Sequence, residues 1–218
     1  LVVNGISYWY SDKIVLRMHN AKPIGPGDPS GVYGIVHELA VGARLPMPKV
    51  YRVPTRVPNA FATGRDPGHS AVAVTDGILA VLNRDELRAV LAHEMSHIRN
   101  RDVLISTVVA VLATAIMYLA SMLRWALIFG GRRGGRNGEG NPLALLATII
   151  LAPLAAALLR AAVSRAREYM ADESGADISA DPRALASALE KISDPRLLNR
   201  MPRERELSPA RSALINMY

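Results

Sequence analysis

The stretch AHEMSHIRNRD, residues 92–102, stands where an amphipathic segment gives way to a long apolar run. Upstream, Asn83 and Glu86 have capping-box spacing, and Leu87, Val90, Leu91, Met95 and Ile98 recur at helical period, which predicts a helix through the motif. On a helix, residues four apart share a face with Cβ atoms roughly 5–6 Å apart. His93 and His97 can therefore each offer an imidazole nitrogen to one zinc ion. Glu94 then lies beside the ion without binding it, placed to take a proton from a water whose acidity the metal has raised. This HExxH pattern is the mechanistic signature of zinc peptidases.

The sequence holds its own control. HELAV begins with His37 and Glu38 on another amphipathic segment but has Val41 where a second histidine is needed, so His37 is expected to be structural or exposed. His19 and His69 lie near loops and are expected to play no part. A catalytic zinc takes three protein ligands and keeps one position open. No histidine follows His97 and the chain has no cysteine, so the third ligand must be a carboxylate. Glu168 and Asp172, one helical turn apart in REYMAD, sit where a second apolar run ends. If the two runs form a hairpin, Glu168 returns beside the histidines as a ligand, and Asp172 accepts a hydrogen bond from a ligating histidine. Asp102 competes for either role.

Residues 103–129 and 142–159 are the apolar runs, separated by GGRRGGRNGEGN. At roughly 1.5 Å per residue the first can cross a hydrocarbon core of about 30 Å with tilt, and the second is near the lower limit. The runs read as a transmembrane helical hairpin with a Gly/Arg loop over 130–141; a buried helical pair in a soluble core is the alternative. Half the residues are apolar but only 5% aromatic, the aliphatic bias of membrane helices. The formal charge of +7 raises nucleic acid as a partner, but arginines flanking apolar runs favour lipid headgroups. The loop has no aromatic residue for stacking, so no nucleic-acid role is expected. Arg88, Arg99, Arg101, Arg160, Arg165 and Arg167 lie on the histidine side, against Arg132, Arg133 and Arg136 in the loop, which puts the histidines on the cytoplasmic face.

Elsewhere, residues 1–10, with Tyr8, Trp9 and Tyr10 before Asp12, read as the tail of a membrane helix leaving through its interfacial belt. Residues 21–31 are a Pro/Gly loop, and 32–44 form a helix closed by Pro46 and Pro48. Residues 49–64 alternate like strands broken by prolines, and SAVAVT over 70–75 is a further strand, together a small sheet. Asp181 and Pro182 start a last helix through about residue 192.

Four stretches, NAFATG, AHEMSHIRNRD, GNPL and SRAREYMADESGA, resemble those of the HtpX-type membrane zinc metallopeptidases, which are related to the CAAX prenyl endopeptidases. The resemblance spans about residues 44–177. It implies a multi-pass endopeptidase of the cytoplasmic membrane, with its site toward the cytosol and one zinc ion per chain. Its substrates would be misfolded or damaged membrane proteins, in quality control and stress response. It also supports Glu168 as the third ligand and gives Asn59, Ala60, Phe61 and Ala62 a place on an edge strand that pairs with extended substrate. The expected fold is α+β and mainly helical. It comprises a zincin-like catalytic domain with an HExxH helix and a small sheet, begun by residues 11–102 and resumed by 160–218, with the hairpin of 103–159 interrupting it. Members of the family usually begin with two membrane helices and extend beyond the position of Tyr218, so a truncated second part is expected and the oxyanion-stabilising group stays unidentified. Two rivals remain: an intramembrane site-two-type protease, whose HExxH lies inside a hydrophobic span, and a non-catalytic membrane adaptor with a structural metal site.

Overall fold

A computed structural model describes residues 9–130, 142–179 and 181–194. Most of the segment 1–10, nearly all of the Gly/Arg loop and the stretch after residue 194 lie outside the described residues. In chain order the elements are helix α1 (Ser11–Met18), strand β1 (Lys22–Pro23), α2 (Val32–Ala43), β2 (Lys49–Val53), β3 (Ala60–Gly64), a 3-10 turn (Pro67–His69), β4 (Ser70–Thr75), α3 (Asp76–Val81), α4 (Arg84–Arg99), α5 (Asp102–Gly130), α6 (Pro142–Ser179) and α7 (Pro182–Ser193).

The sheet runs β1-β2-β4-β3, with β2 parallel to β4 and both outer strands antiparallel to their neighbours. SAVAVT is the interior strand, and all six residues are buried because both faces are covered. Val72 and Val74 face the main core beneath α2 and α4, while Ala71 and Ala73 pack against Leu16 of α1. Prolines sit where a missing N–H costs no ladder bond: Pro23 on the outer strand β1, and Pro54 and Pro58 outside the strands they flank.

Helix α4 begins with the expected capping box, Asn83 Oδ1 accepting from Glu86 N–H at 2.9 Å and Glu86 Oε2 accepting from Asn83 N–H at 3.0 Å. Its stripe of Leu87, Val90, Leu91, Met95 and Ile98 is buried, each side chain worth roughly 1.5–3 kcal/mol of transfer free energy. Glu86 does a second job that the sequence pattern did not show. It accepts from Ser187 Oγ at 2.7 Å and Lys191 Nζ at 2.8 Å, fastening α7 to α4.

At the end of α4, Arg101 takes a left-handed conformation, φ 56°, which stops the helix and lets α5 restart at Asp102. Helices α5 and α6 are each long and apolar enough to cross a membrane, and their apolar stretches are almost wholly uncovered by the rest of the chain. Leu112, Leu119, Leu123, Leu151, Leu154 and Leu158 point outward, whereas Val109, Ala113 and Ala156 are buried where the two helices meet. Large aliphatics outside and small ones between helices is the pattern of a pair solvated by lipid.

Helix α6 does not stop where its apolar run ends at residue 159. It continues unbroken to Ser179, because residues 160–179 are rich in Ala, Arg and Glu and contain no proline before Pro182. A change of polarity is not a helix stop signal. At about 1.5 Å per residue, its polar half extends well beyond a hydrocarbon core and lies along α4.

Candidate active site

The polar half of α6 returns to α4 at the two histidines. The donor atoms of His93, His97 and Glu168 all lie within 4.8 Å of one another, the one such cluster among the described residues. His93 Nε2 is 3.8 Å from Glu168 Oε2, and the two rings meet edge to face with centroids 4.9 Å apart. Ligand atoms around a tetrahedral zinc sit roughly 3.3 Å apart, so a few tenths of an ångström of closure would complete the site. Two imidazoles and one carboxylate, with no thiolate anywhere in the chain, form a donor set that suits zinc with a position left open.

Each histidine has a carboxylate behind it. Asp172 Oδ1 is 3.1 Å from His93 Nδ1, an ion-pair contact whose angle falls short of a directed hydrogen bond. His97 Nδ1 donates to Asp102 Oδ2 at 2.5 Å, and Asp102 is only 2% exposed. The left-handed turn at Arg101 aims Asp102 back at α4, so the structure assigns it to His97 rather than to the metal cluster. Burial and the neighbouring His97 hold the His93 imidazole below its usual pKa, against the pull of Asp172 and Glu168. At His97 burial also acts downward, but Asp102, Glu94 and Glu168 outweigh it and the net shift is upward.

Glu94 keeps some solvent access yet sits deep among protein atoms under β3, where its Oε2 accepts from Ala62 N–H at 3.1 Å. Burial pushes its carboxyl up to about 7, with His97 and the Ala62 N–H drawing it back and Glu168 adding to the rise. A carboxyl near neutrality can both take and return a proton at physiological pH.

Strand β3 is an outer strand. Thr75 N–H donates to Asn59 C=O at 3.0 Å, and antiparallel alternation from that pair turns the main-chain groups of Ala60, Ala62 and Gly64 to the open side. Asn59 is occupied by Thr75 through both its C=O and its N–H, the latter reaching Thr75 Oγ1 at 2.9 Å. The Phe61 ring lies on the sheet face away from α4, with the Leu16 cluster and 5.3 Å from the His19 ring. Past Ala62, an open cleft of about 270 Å³ runs between the end of β3 and His97, Arg101 and Asp102. The other histidines stand apart: His37 is exposed, and His69 pairs with Asp66 at 3.0 Å.

Two supports of the site were not visible from motif reading. Ser96, fully buried, donates to Ala171 C=O at 3.1 Å across the α4–α6 contact, and Gly175 packs against the main chain of His93. Gly175 lies seven residues after Glu168, so helical spacing alone put it on the ligand's face.

Residues 30–213 match the profile of Peptidase family M48. A "Protease HtpX homolog" of Desulfatibacillum aliphaticivorans is 50% identical, aligned over 98% of this chain and 69% of its own length. Its namesake in Pyrococcus furiosus is 56% identical over 89% of this chain and 67% of its own length, and that of Desulforapulum autotrophicum 53% over 88% and 62%. The chain thus spans about two thirds of these curated relatives. The crystal structure of S. mikatae Ste24p shares the fold, with TM-score 0.65 and 18% identity over 97% of this chain and 52% of that one.

Proposed function

The chain belongs to peptidase family M48 and is a membrane protease, and from that premise we propose that it is a zinc-dependent endopeptidase with a zincin-like site. The convergence of His93, His97 and Glu168 on one point, with Glu94 alongside, is the observation that carries the proposal. The two imidazoles and the Glu168 carboxylate would hold the ion, with Asp172 and Asp102 orienting the rings. When bound, zinc would supply a Lewis acid that polarises the scissile carbonyl and acidifies water near neutral pH. Glu94 takes the proton of the attacking water on a carboxylate oxygen and hands it to the departing amine nitrogen. An extended polypeptide pairs along the segment Asn59–Ala62 through the outward main-chain groups of Ala60 and Ala62.

The substrates are misfolded or damaged membrane proteins, which meet the site where α5 and α6 leave the bilayer. Arginines at the base of the hairpin set that face toward the cytoplasm of a multi-pass protein. Two features speak against a site-two-type protease and an adaptor. The histidines lie on α4, outside the apolar stretches of α5 and α6, and three ligands without a fourth suit a catalytic rather than a closed structural site.

The test uses the full-length protein in lipid nanodiscs, with zinc content and cleavage of an unfolded membrane protein measured for wild type and Glu94→Gln. The proposal expects zinc retained and cleavage reduced about a hundredfold or more. An adaptor expects no difference between the two.

A further inference from the structure

Arg167 immediately precedes the proposed ligand Glu168, yet no step of the proposed chemistry uses it. Successive side chains on a helix diverge by about 100°, so while Glu168 turns to His93, Arg167 reaches α5 instead. Its Nε lies 3.3 Å from Asp102 Oδ2, the same oxygen that accepts from His97 Nδ1 at 2.5 Å. Its guanidinium also donates to Ser106 Oγ, and that hydroxyl donates to the Asp102 C=O at 2.7 Å. The Arg167 side chain is 25% exposed and that of Asp102 only 3%. Three elements thus meet at one carboxylate: α4 through His97, α5 through Asp102 and Ser106, and α6 through Arg167.

We propose that Arg167 is a positioning residue for His97, acting through Asp102, and that this link ties the base of the apolar hairpin to the metal ligand. The inference rests on the zinc-peptidase reading above. A carboxylate closed off from water needs a cation to hold it in place, and Arg167 supplies one from a helix whose next residue is itself a ligand. Without it Asp102 is free to change rotamer, and the His97 ring loses the contact that fixes its plane. One helical turn of α6 therefore delivers a ligand to one histidine's side of the site and an anchor to the other's.

The experiment measures zinc dissociation constants by chelator competition on the full-length protein in nanodiscs. Arg167→Gln is expected to weaken zinc binding about ten- to a hundredfold, the usual cost of losing an outer partner of a metal ligand. Arg167→Lys keeps the charge and recovers part of that loss. Arg167→Gln combined with Asp102→Asn binds no more weakly than Asp102→Asn alone, because both act through one contact. Ala113→Val, which crowds the buried α5–α6 contact away from the site, lowers the melting temperature and leaves zinc affinity unchanged. Zinc affinity within twofold of wild type in Arg167→Gln, or losses that multiply with Asp102→Asn, overturns the inference. Should Arg167→Gln not fold, Ser106→Ala is read in its place, with threefold weaker binding expected and unchanged binding overturning. A wild type that binds no zinc overturns the zinc-peptidase reading itself, whereas zinc bound equally by wild type and Arg167→Gln overturns this inference alone.

Discussion

Replacing Gly175 with alanine adds one methyl group at the closest approach of α4 and α6. A Cβ there would stand 2.9 Å from His93 Cα, 3.2 Å from its N and 3.4 Å from its Cβ. Carbon atoms rest at about 3.5–4.0 Å, so the helices must part by roughly 0.6–1 Å. The Ser96 Oγ to Ala171 C=O bond, now 3.1 Å, then stretches past hydrogen-bonding range, and the 3.8 Å between His93 and Glu168 opens further from what a zinc ion needs. Two energies oppose each other. Alanine gains about 1 kcal/mol of helix propensity over glycine, while overpacking costs about 1–3 kcal/mol and the lost bond about 1 more. The net expectation is destabilisation by about 1–3 kcal/mol with zinc binding weakened at least about tenfold, the equivalent of 1.4 kcal/mol in affinity. Gly34→Ala in α2 is the control, since nothing lies within 4 Å of a Cβ there and only the propensity gain should appear. Thermal melts of metal-free protein and chelator competition for zinc provide both readouts. If Gly175→Ala raises the melting temperature as Gly34→Ala does and leaves zinc affinity alone, the packing account of the site is wrong.

Glu86 should make the docking of α7 sensitive to acid. Its hydrogen bond from Lys191, with further bonds from Asn83 N–H and Ser187, outweighs burial and holds its carboxyl down at about 2, against 4.5 for a free glutamate. A folded-state value below the unfolded one gives stability that is full above about pH 4.5 and lost as pH falls toward 2. Lys191 is 41% exposed, so solvent screening limits the contribution to about 1–2 kcal/mol. Melting curves of wild type and Glu86→Gln should converge over that window, and a gap that persists at pH 2 would count against it. Ala62→Pro should spare the sheet, since that N–H points away from β4, while removing the donor that Glu94 accepts from. Zinc content should hold and kcat/KM fall at least about tenfold; unchanged cleavage would remove β3 from the site.

The sequence made α4 legible because every signal there is local: a capping box, a stripe of five apolar residues, and histidines four apart. SAVAVT was readable as a strand, but its interior position and the outer place of β3 depend on pairings that no local pattern specifies. The short helices α1 and α3 carry too few residues for a periodicity to register. Polarity suggested a boundary at residue 159, whereas the backbone follows propensity and runs on to Ser179, and that continuity is what carries Glu168 to the histidines. The motif offered Asp102 as a rival for either role; only the left-handed turn at Arg101, unfavourable for arginine and unmarked by glycine, gave it to His97. Arg167, Ser96 and Gly175 work across helix contacts, so their spacing could be read but not what they touch.

The central claim is tested most directly by a zinc-loaded crystal structure of the full-length protein with an anomalous map collected at the zinc edge. The account expects one peak with His93 and His97 nitrogens and a Glu168 oxygen at about 2.0–2.2 Å, and Glu94 close by but not coordinating. A peak held by Asp102 or Asp172 instead, or closed by a fourth protein ligand, would contradict it.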